Sequence, residues 1–406
     1  MLPIALKSFH IKNYRGIIDA QIDNIPPDTQ WIFLTGENGF GKTSVLQGIA
    51  MVGCPLFQQQ SYYYKHIEEQ SEKPEISMDF ICNGVPSYAV YPNFTVDDLK
   101  GNNNGQLVDI TSKIIGYGSS RLRVSNNSIK EVLKNHSLLD SLLSHNTNLL
   151  DIEEELKDWY SNYKEGFDQL ESIFISLIPK LSRIQVEFDI RGYRSSRVKY
   201  YESDLGDNLF DKGITFDELA SVYVNIFAMI GDMIIRFSES QSVENFSDLE
   251  GIVLIDEIDL HLHPKYQKLF VQKLTELFPK IQFIVSTHSP IPLLGSPPNS
   301  VVINVSRTRE EGIKTELLDI DSSVLTPNAI LSSPIFGFQD LIPESKSDDK
   351  MIRTEDTYKE VLFNNQLKEN INQFLTKERQ EELLKLIKIK LKSLYAIDNQ
   401  RLKQQA

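Results

Sequence analysis

Gly36-Glu37-Asn38-Gly39-Phe40-Gly41-Lys42-Thr43 follows directly on the apolar run Trp31-Ile32-Phe33-Leu34-Thr35, and the two together decide the fold. The run is apolar and partly β-branched, so it reads as a strand, and Ser44 to Val52 continues as a helix beyond the glycines. The octapeptide has the G-x-x-x-x-G-K-[ST] form. Its glycines let a loop bend until backbone N–H groups cradle phosphate oxygens, a lysine neutralises them, and a threonine hydroxyl can ligate Mg²⁺. Lys42 and Thr43 stand at those positions, with Gly39, Gly41 and Ser44 as further phosphate-loop contacts.

Two distant segments supply what such a loop lacks. Ile252 to Ile255 is a continuous apolar run, expected of a parallel strand buried on both faces, and it delivers Asp256 and Glu257 to the strand's C-terminal edge, where ligands bind. One carboxylate can hold Mg²⁺ through water, while its neighbour, pointing the other way, can orient or deprotonate an attacking water. Ile281 to Ser286 reads as another strand and ends in Thr287-His288, where an imidazole can sense a γ-phosphate. The three segments predict an α/β P-loop NTPase that uses ATP and Mg²⁺.

The 406 residues exceed a single core of usual size, so a large domain with an insertion, or two lobes, is expected. No apolar run approaches the roughly 20 residues that cross a bilayer, and Met1-Leu2-Pro3-Ile4 lacks a secretory layout, so a cytoplasmic protein without a membrane partner is expected. Cys54 and Cys82 are too few for a disulfide framework or a zinc cluster and read as structural. A formal charge of −14 argues against a surface that wraps nucleic acid, without excluding a local basic groove. Arg191, Arg194, Arg197 and Lys199 are open to that reading or to the plainer one of a solvated hairpin edge.

The chain divides into residues 1–57, an ATPase lobe with the phosphate loop, 58–182, an insertion with strands and a helical lobe, 183–320, a second ATPase lobe, and 321–406, a helical C-terminal tail. Ile4 to Ile11 and Ile17 to Ile22 read as strands around Asn13-Tyr14-Arg15-Gly16, and Ile76 to Cys82 and Tyr88 to Tyr91 as further strands. Gly101-Asn102-Asn103-Asn104-Gly105 marks a surface turn. Asp151 to Leu181 and Phe216 to Phe237 carry apolar residues at helical spacing, Arg183 to Ile190 and Val198 to Tyr201 return to strand patterning, and Ser300 to Val305 with Ile313 to Leu318 can close a strand pair. From Thr354 onward an apolar stripe through Ile371, Leu384 and Leu394 requires cover from the chain's own core or from another subunit. His261 and His263 invite a metal reading, but Pro264 suits a first helical turn, so His-x-His-Pro more plausibly shapes the entry to a helix.

Leu254-Ile-Asp-Glu-Ile-Asp-Leu-His-Leu-His-Pro264, the segment Phe278 to Pro290, and the looser Asn13 to Ile17 and Gly116 to Arg121 resemble the ATP-binding-cassette (ABC) ATPases of the SMC, RecF and overcoming-lysogenization-defect (OLD) group. The similarity is particular to short bacterial ATPases of anti-phage systems such as Septu, Gabija and PARIS. The resemblance implies an ABC-type fold and a head-to-head homodimer or higher oligomer, with ATP between the P-loop of one subunit and a signature helix of the other. It makes Glu257 the residue that activates water, Asp256 the Mg²⁺ holder with Thr43, His288 the switch histidine, and Asp259 part of a loop that talks across the dimer. Asn38 and Arg15 become nucleotide contacts, while Arg121 contacts nucleotide or DNA or forms a structural ion pair.

One departure bears on rate. Relatives open the signature helix with Leu-Ser-Ser-Gly or Leu-Ser-Gly-Gly, whereas this chain has Leu219-Ala220-Ser221-Val222, leaving Ser221 as the contact to a partner's nucleotide. Losing a transition-state donor costs on the order of 10²-fold in rate, so slow turnover is expected. Asp319-Ile320-Asp321 lacks the strand and glycine pattern of an OLD-type nuclease domain, so a nuclease effector is expected to be a separate subunit. A defence sensor or scaffold, a DNA-maintenance clamp that binds DNA, and a nucleotide-binding regulator that barely hydrolyses are the three functions in view.

Overall fold

The computed structural model describes residues 1–55, 72–91, 106–107, 110–119, 137–144, 149–188, 196–202, 213–321 and 325–333, with isolated residues elsewhere. Gly101 to Gly105, Arg121, Arg191, Arg194 and the apolar stripe from Ile371 to Leu394 lie outside the described residues.

Thirteen strands are described: β1 (Ile4–Tyr14), β2 (Ile17–Ile22), β3 (Trp31–Thr35), β4 (Glu75–Cys82), β5 (Val85–Tyr91), β6 (Gln106–Leu107), β7 (Ile114–Tyr117), β8 (Leu181–Phe188), β9 (Ser196–Glu202), β10 (Gly251–Ile255), β11 (Ile281–Ser286), β12 (Val301–Thr308) and β13 (Gly312–Leu318). The helices are α1 (Lys42–Met51), α2 (Asp140–Leu143), α3 (Ile152–Asn162), α4 (Lys164–Leu177), α5 (Ser221–Ser240), α6 (Pro264–Leu277) and α7 (Pro327–Ser332).

Eleven strands form one sheet in the order β6-β5-β4-β1-β2-β13-β12-β3-β11-β10-β7, and β8 and β9 form a separate hairpin. From β12 to β7 every pairing is parallel, while β13, β2, β1, β4 and β5 extend the sheet with antiparallel pairings. Strands β4 to β7 of the 58–182 segment are thus part of the main sheet, and the helices α3 and α4 rest on one of its faces.

Strand periodicity explains the continuous apolar runs. Trp31, Phe33, Val253, Ile255, Phe283 and Val285 point into one core with α3, α4 and α5. Ile32, Leu34, Ile252, Leu254 and Ile284 point into the other, with α1 and β1. Both faces are therefore dry, as a parallel sheet requires. Trp31 stacks on Phe283 at a centroid distance of 4.5 Å, which ties the phosphate-loop strand to β11.

Two helical expectations change in detail. Residues 151–181 are two helices rather than one, because Tyr163 leaves helical geometry at φ −142°, ψ 71° and its ring lies over Gly166, where a Cβ would sit 2.1 Å from it. Phe216 to Phe237 is likewise broken: Phe216–Glu218 is a single 3₁₀ turn closed by a Thr215–Glu218 capping box, Leu219 and Ala220 are extended, and α5 starts at Ser221. Helix α5 is long and apolar enough to cross a membrane by length and composition, but 72% of its apolar window is buried within the protein.

Candidate functional site

The phosphate loop leaves β3 through glycines in left-handed geometry. Gly36 has φ 134° and Gly41 φ 99°. A Cβ on Gly36 would lie 2.1 Å from the Val305 carbonyl oxygen and one on Gly41 2.3 Å from the Ile313 side chain, so only glycine fits beneath the β12-β13 hairpin. Gly41 is also the N-cap of α1 and brings no side-chain acceptor, so the first-turn N–H groups are not capped by a side chain.

Lys42 is buried, and its Nζ donates to the carbonyls of Gly36 at 2.7 Å and Glu37 at 3.0 Å. It lies 3.1 Å from Nδ1 of His288, which must accept there if the lysine is an ammonium. Burial, then the Lys42 charge, holds the His288 imidazole below the ordinary histidine range, against the pull of Asp259, Glu257 and Asp256. A neutral ring with Nδ1 toward Lys42 carries its proton on Nε2, 3.8 Å from Oε1 of Glu257. Burial also lowers the Lys42 pKa, and the three carboxylates Asp256, Glu257 and Asp259 oppose that shift.

Thr43, in the first turn of α1, donates its hydroxyl to Oδ2 of Asp256 at 2.9 Å. Asp256 follows β10, its backbone N–H held by the Tyr117 carbonyl at 2.8 Å. Its other oxygen, Oδ1, accepts from Ser286 at 2.6 Å, and the same Ser286 hydroxyl accepts from the Glu257 N–H at 2.7 Å. Glu257 itself has φ 51°. Beyond β11, Thr287 donates to Oδ1 of Asp259 at 2.6 Å, and Ser289 donates to Oε1 of Gln267 at 2.8 Å, whose amide nitrogen in turn holds the Leu262 carbonyl at 3.0 Å.

Lys42, Thr43, Asp256, Glu257 and His288 thus converge. The other expected residues stand at the β1-β2 turn, on the phosphate loop, on α1 and at the start of α5. Arg15, exposed and at φ 47°, donates to the Gln47 side chain on α1. Asn38 and Gly39 are exposed at the loop tip, where Arg307 approaches the Gly39 carbonyl at 3.5 Å, and Ser44 is half-buried on α1. Ser221 is exposed in the first turn of α5. His263 caps α6, its Nδ1 accepting from Lys265 N–H at 3.3 Å with Pro264 next in line.

Sequence reasoning missed Ser286, Thr287, Ser289 and Gln267 as site residues. What reveals Ser286 is register, which the sequence does not carry: Ile255 pairs with Val285 across parallel strands, so Asp256 and Ser286 fall side by side on the α1 face.

Among the described residues no group of three or more His, Cys, Asp or Glu side chains gathers to hold a metal. A threonine hydroxyl beside one carboxylate is nevertheless the donor set that suits Mg²⁺, which keeps waters and completes its shell with substrate phosphates.

A phosphate loop after a central parallel strand, with an acidic strand end two strands away and a Thr-His strand end between them, defines an α/β P-loop NTPase. The chain belongs to the AAA ATPase domain family, whose model matches residues 56–291, more than half its length. It is 28% identical to the Septu protein PtuA of Bacillus mycoides (strain KBAB4) over 354 residues, 84% of this chain and 46% of that protein. It is 31% identical to the retron Ec83 probable ATPase of Escherichia coli over 193 residues, 46% of this chain and 33% of that protein. A shorter match, 55% over 69 residues, joins 17% of it to 13% of the retron Vc95 probable ATPase of Vibrio cholerae serotype O1 biovar El Tor. The chain spans less than half the length of each of these relatives. Among solved structures, the SmcHead bound to the C-winged helix domain of ScpA is similar at 14% identity and a TM-score of 0.45, over 77% of this chain and 97% of that one.

Proposed function

We propose that this chain binds Mg²⁺-ATP, closes as a nucleotide-sandwiched homodimer or higher oligomer, hydrolyses slowly, and serves as sensor or scaffold of an anti-phage defence complex whose nuclease is a separate subunit. The convergence of Lys42, Thr43, Asp256, Glu257 and His288 at the ends of β3, β10 and β11 carries the reading. Lys42 and the N–H groups of Gly39, Gly41 and Ser44 hold phosphate, and Thr43 and Asp256 hold the metal. Glu257 orients and deprotonates the attacking water, and His288, neutral at physiological pH, donates from Nε2 toward the γ-phosphate. The bound Mg²⁺ supplies neutralisation of phosphate charge. Ser221 reaches the partner's nucleotide, and Arg15 and Asn38 flank the site.

The slow rate rests on Ala220 and Val222, which remove a hydroxyl and a close backbone approach from the start of α5. The defence role rests on the similarity to a Septu protein and to retron ATPases.

Calorimetry with Mg²⁺-ATP on wild type and Lys42→Ala tests the site: removing a charge-assisted grip weakens uptake by about 10- to 100-fold. Uptake unaffected by that change defeats the reading. Light scattering with and without ATP, on protein purified with its native neighbours, tests the assembly. A monomer at high ATP with no nuclease-like companion overturns the scaffold, and tight DNA binding that falls steeply with salt replaces it with a clamp.

A further inference from the structure

Ser286, Thr287 and His288 each meet the segment that follows β10, Ser286 twice, and Ser289 bonds Gln267 on α6. Ser286 is fully buried at the last position of β11. Its single hydroxyl accepts the Glu257 N–H and donates to Asp256 Oδ1, so it holds the peptide between the two acids and the rotamer of the first. With Oδ1 engaged, Oδ2 is the oxygen turned to Thr43. The Glu257 N–H is fixed while that residue stands at φ 51°, a backbone conformation that a non-glycine residue keeps only when its surroundings impose it. Alanine would remove both bonds at once. No apolar side chain can accept and donate there.

We propose that Ser286 is a positioning residue for the acid pair: it aims Asp256 at the metal beside Thr43 and sets the direction in which the Glu257 carboxylate leaves the backbone. This rests on the Mg²⁺-ATP reading above. Partners behind metal-holding groups are worth about 10- to 100-fold in metal affinity or activity.

The test is the affinity of the nucleotide-loaded protein for Mn²⁺, read by electron paramagnetic resonance, together with ATP uptake in EDTA. It is run on wild type, Ser286→Ala and Ser286→Thr, each checked for an unchanged melting transition. The expected result is ATP uptake in EDTA within about 2-fold of wild type, Mn²⁺ affinity lower by about 10-fold or more in Ser286→Ala, and recovery in Ser286→Thr, which keeps the hydroxyl. Normal nucleotide uptake with unchanged Mn²⁺ affinity in Ser286→Ala overturns this inference alone. Equal weakening in the alanine and threonine variants overturns it too, by showing that packing rather than the hydroxyl matters. Wild-type protein that takes up no nucleotide brings down the functional reading and this inference with it.

Discussion

The ends of β10 and β11 and the start of α5 are organised in opposite ways. At the strand ends, Ser286, Thr287 and Ser289 each spend a hydroxyl on a neighbouring acid or amide, and Thr43 reaches Asp256 from α1. At the start of α5 the N-cap is Ala220, no side chain caps the helix, the first turn has no acidic residue and Ser221 faces solvent. Helix α3 shows the contrast within the same chain, with Asp151 accepting from Glu153 N–H and three glutamates in its first turn. Yet α5 is anchored farther along, where buried Asp232 accepts from Arg236 Nε at 2.8 Å, Tyr117 OH at 2.9 Å and Leu150 N–H at 3.0 Å. Order is built in at the strand ends, while α5 is fixed at its middle and open at its beginning.

The comparison breaks most sharply at Glu257. Glu257→Gln is expected to cut steady-state hydrolysis by about 10²- to 10⁴-fold with ATP uptake retained; brisk turnover in that variant would move the water-activating role elsewhere. On the α5 side, Asp232→Ala leaves a buried Arg236 charge without its partner and is expected to cost about 3–5 kcal/mol in denaturant unfolding. A loss under about 1 kcal/mol would show that the anchor is replaceable.

Ala220→Ser with Val222→Gly supplies a hydroxyl and a close backbone approach, and is expected to raise turnover by about 10-fold, part of what such a donor is worth elsewhere. No gain would mean that the open start of α5 does not limit the rate. The smallest effect concerns acid stability. Because the folded His288 pKa is lowered, by burial first and Lys42 next, the unfolded chain takes up that proton first as pH falls below the ordinary histidine value of about 6.5. The stabilising difference is complete above that pH and is lost downward through the folded pKa. His288→Gln is therefore expected to flatten the melting temperature against pH on the acid side of neutrality, and an unchanged slope would assign it to other groups.

What could be read from the sequence followed from burial. Trp31–Thr35 and Ile281–Ser286 are strands over the residues that their mainly apolar runs mark, because a strand dry on both faces is apolar over most of its length; the buried Gln282 is tolerated since Leu6 N–H and the Thr29 carbonyl satisfy its amide. The acid pair and the imidazole were legible for the same reason: they stand just beyond the ends of such runs. The break at Tyr163 was not, since Trp159 and Phe167 on either side of it enter the same core and keep the spacing of one helix. Strand order was hidden as well. β12 and β13 lie between β2 and β3, although they follow them by more than 260 residues, and local pattern holds no record of such pairing. Ser286 was hidden because a lone serine at a strand end takes on meaning only once its neighbour across the sheet is known.

The glycine turn that closes under Val305 and Ile313 also orders events during synthesis. A nascent chain that has emerged through α1 already contains every residue of the turn, but the surface that shapes it is still to be translated. The shape of the turn is completed only when the hairpin from Val301 to Leu318 docks beside β3, so fragments released before that point carry the motif without its mould.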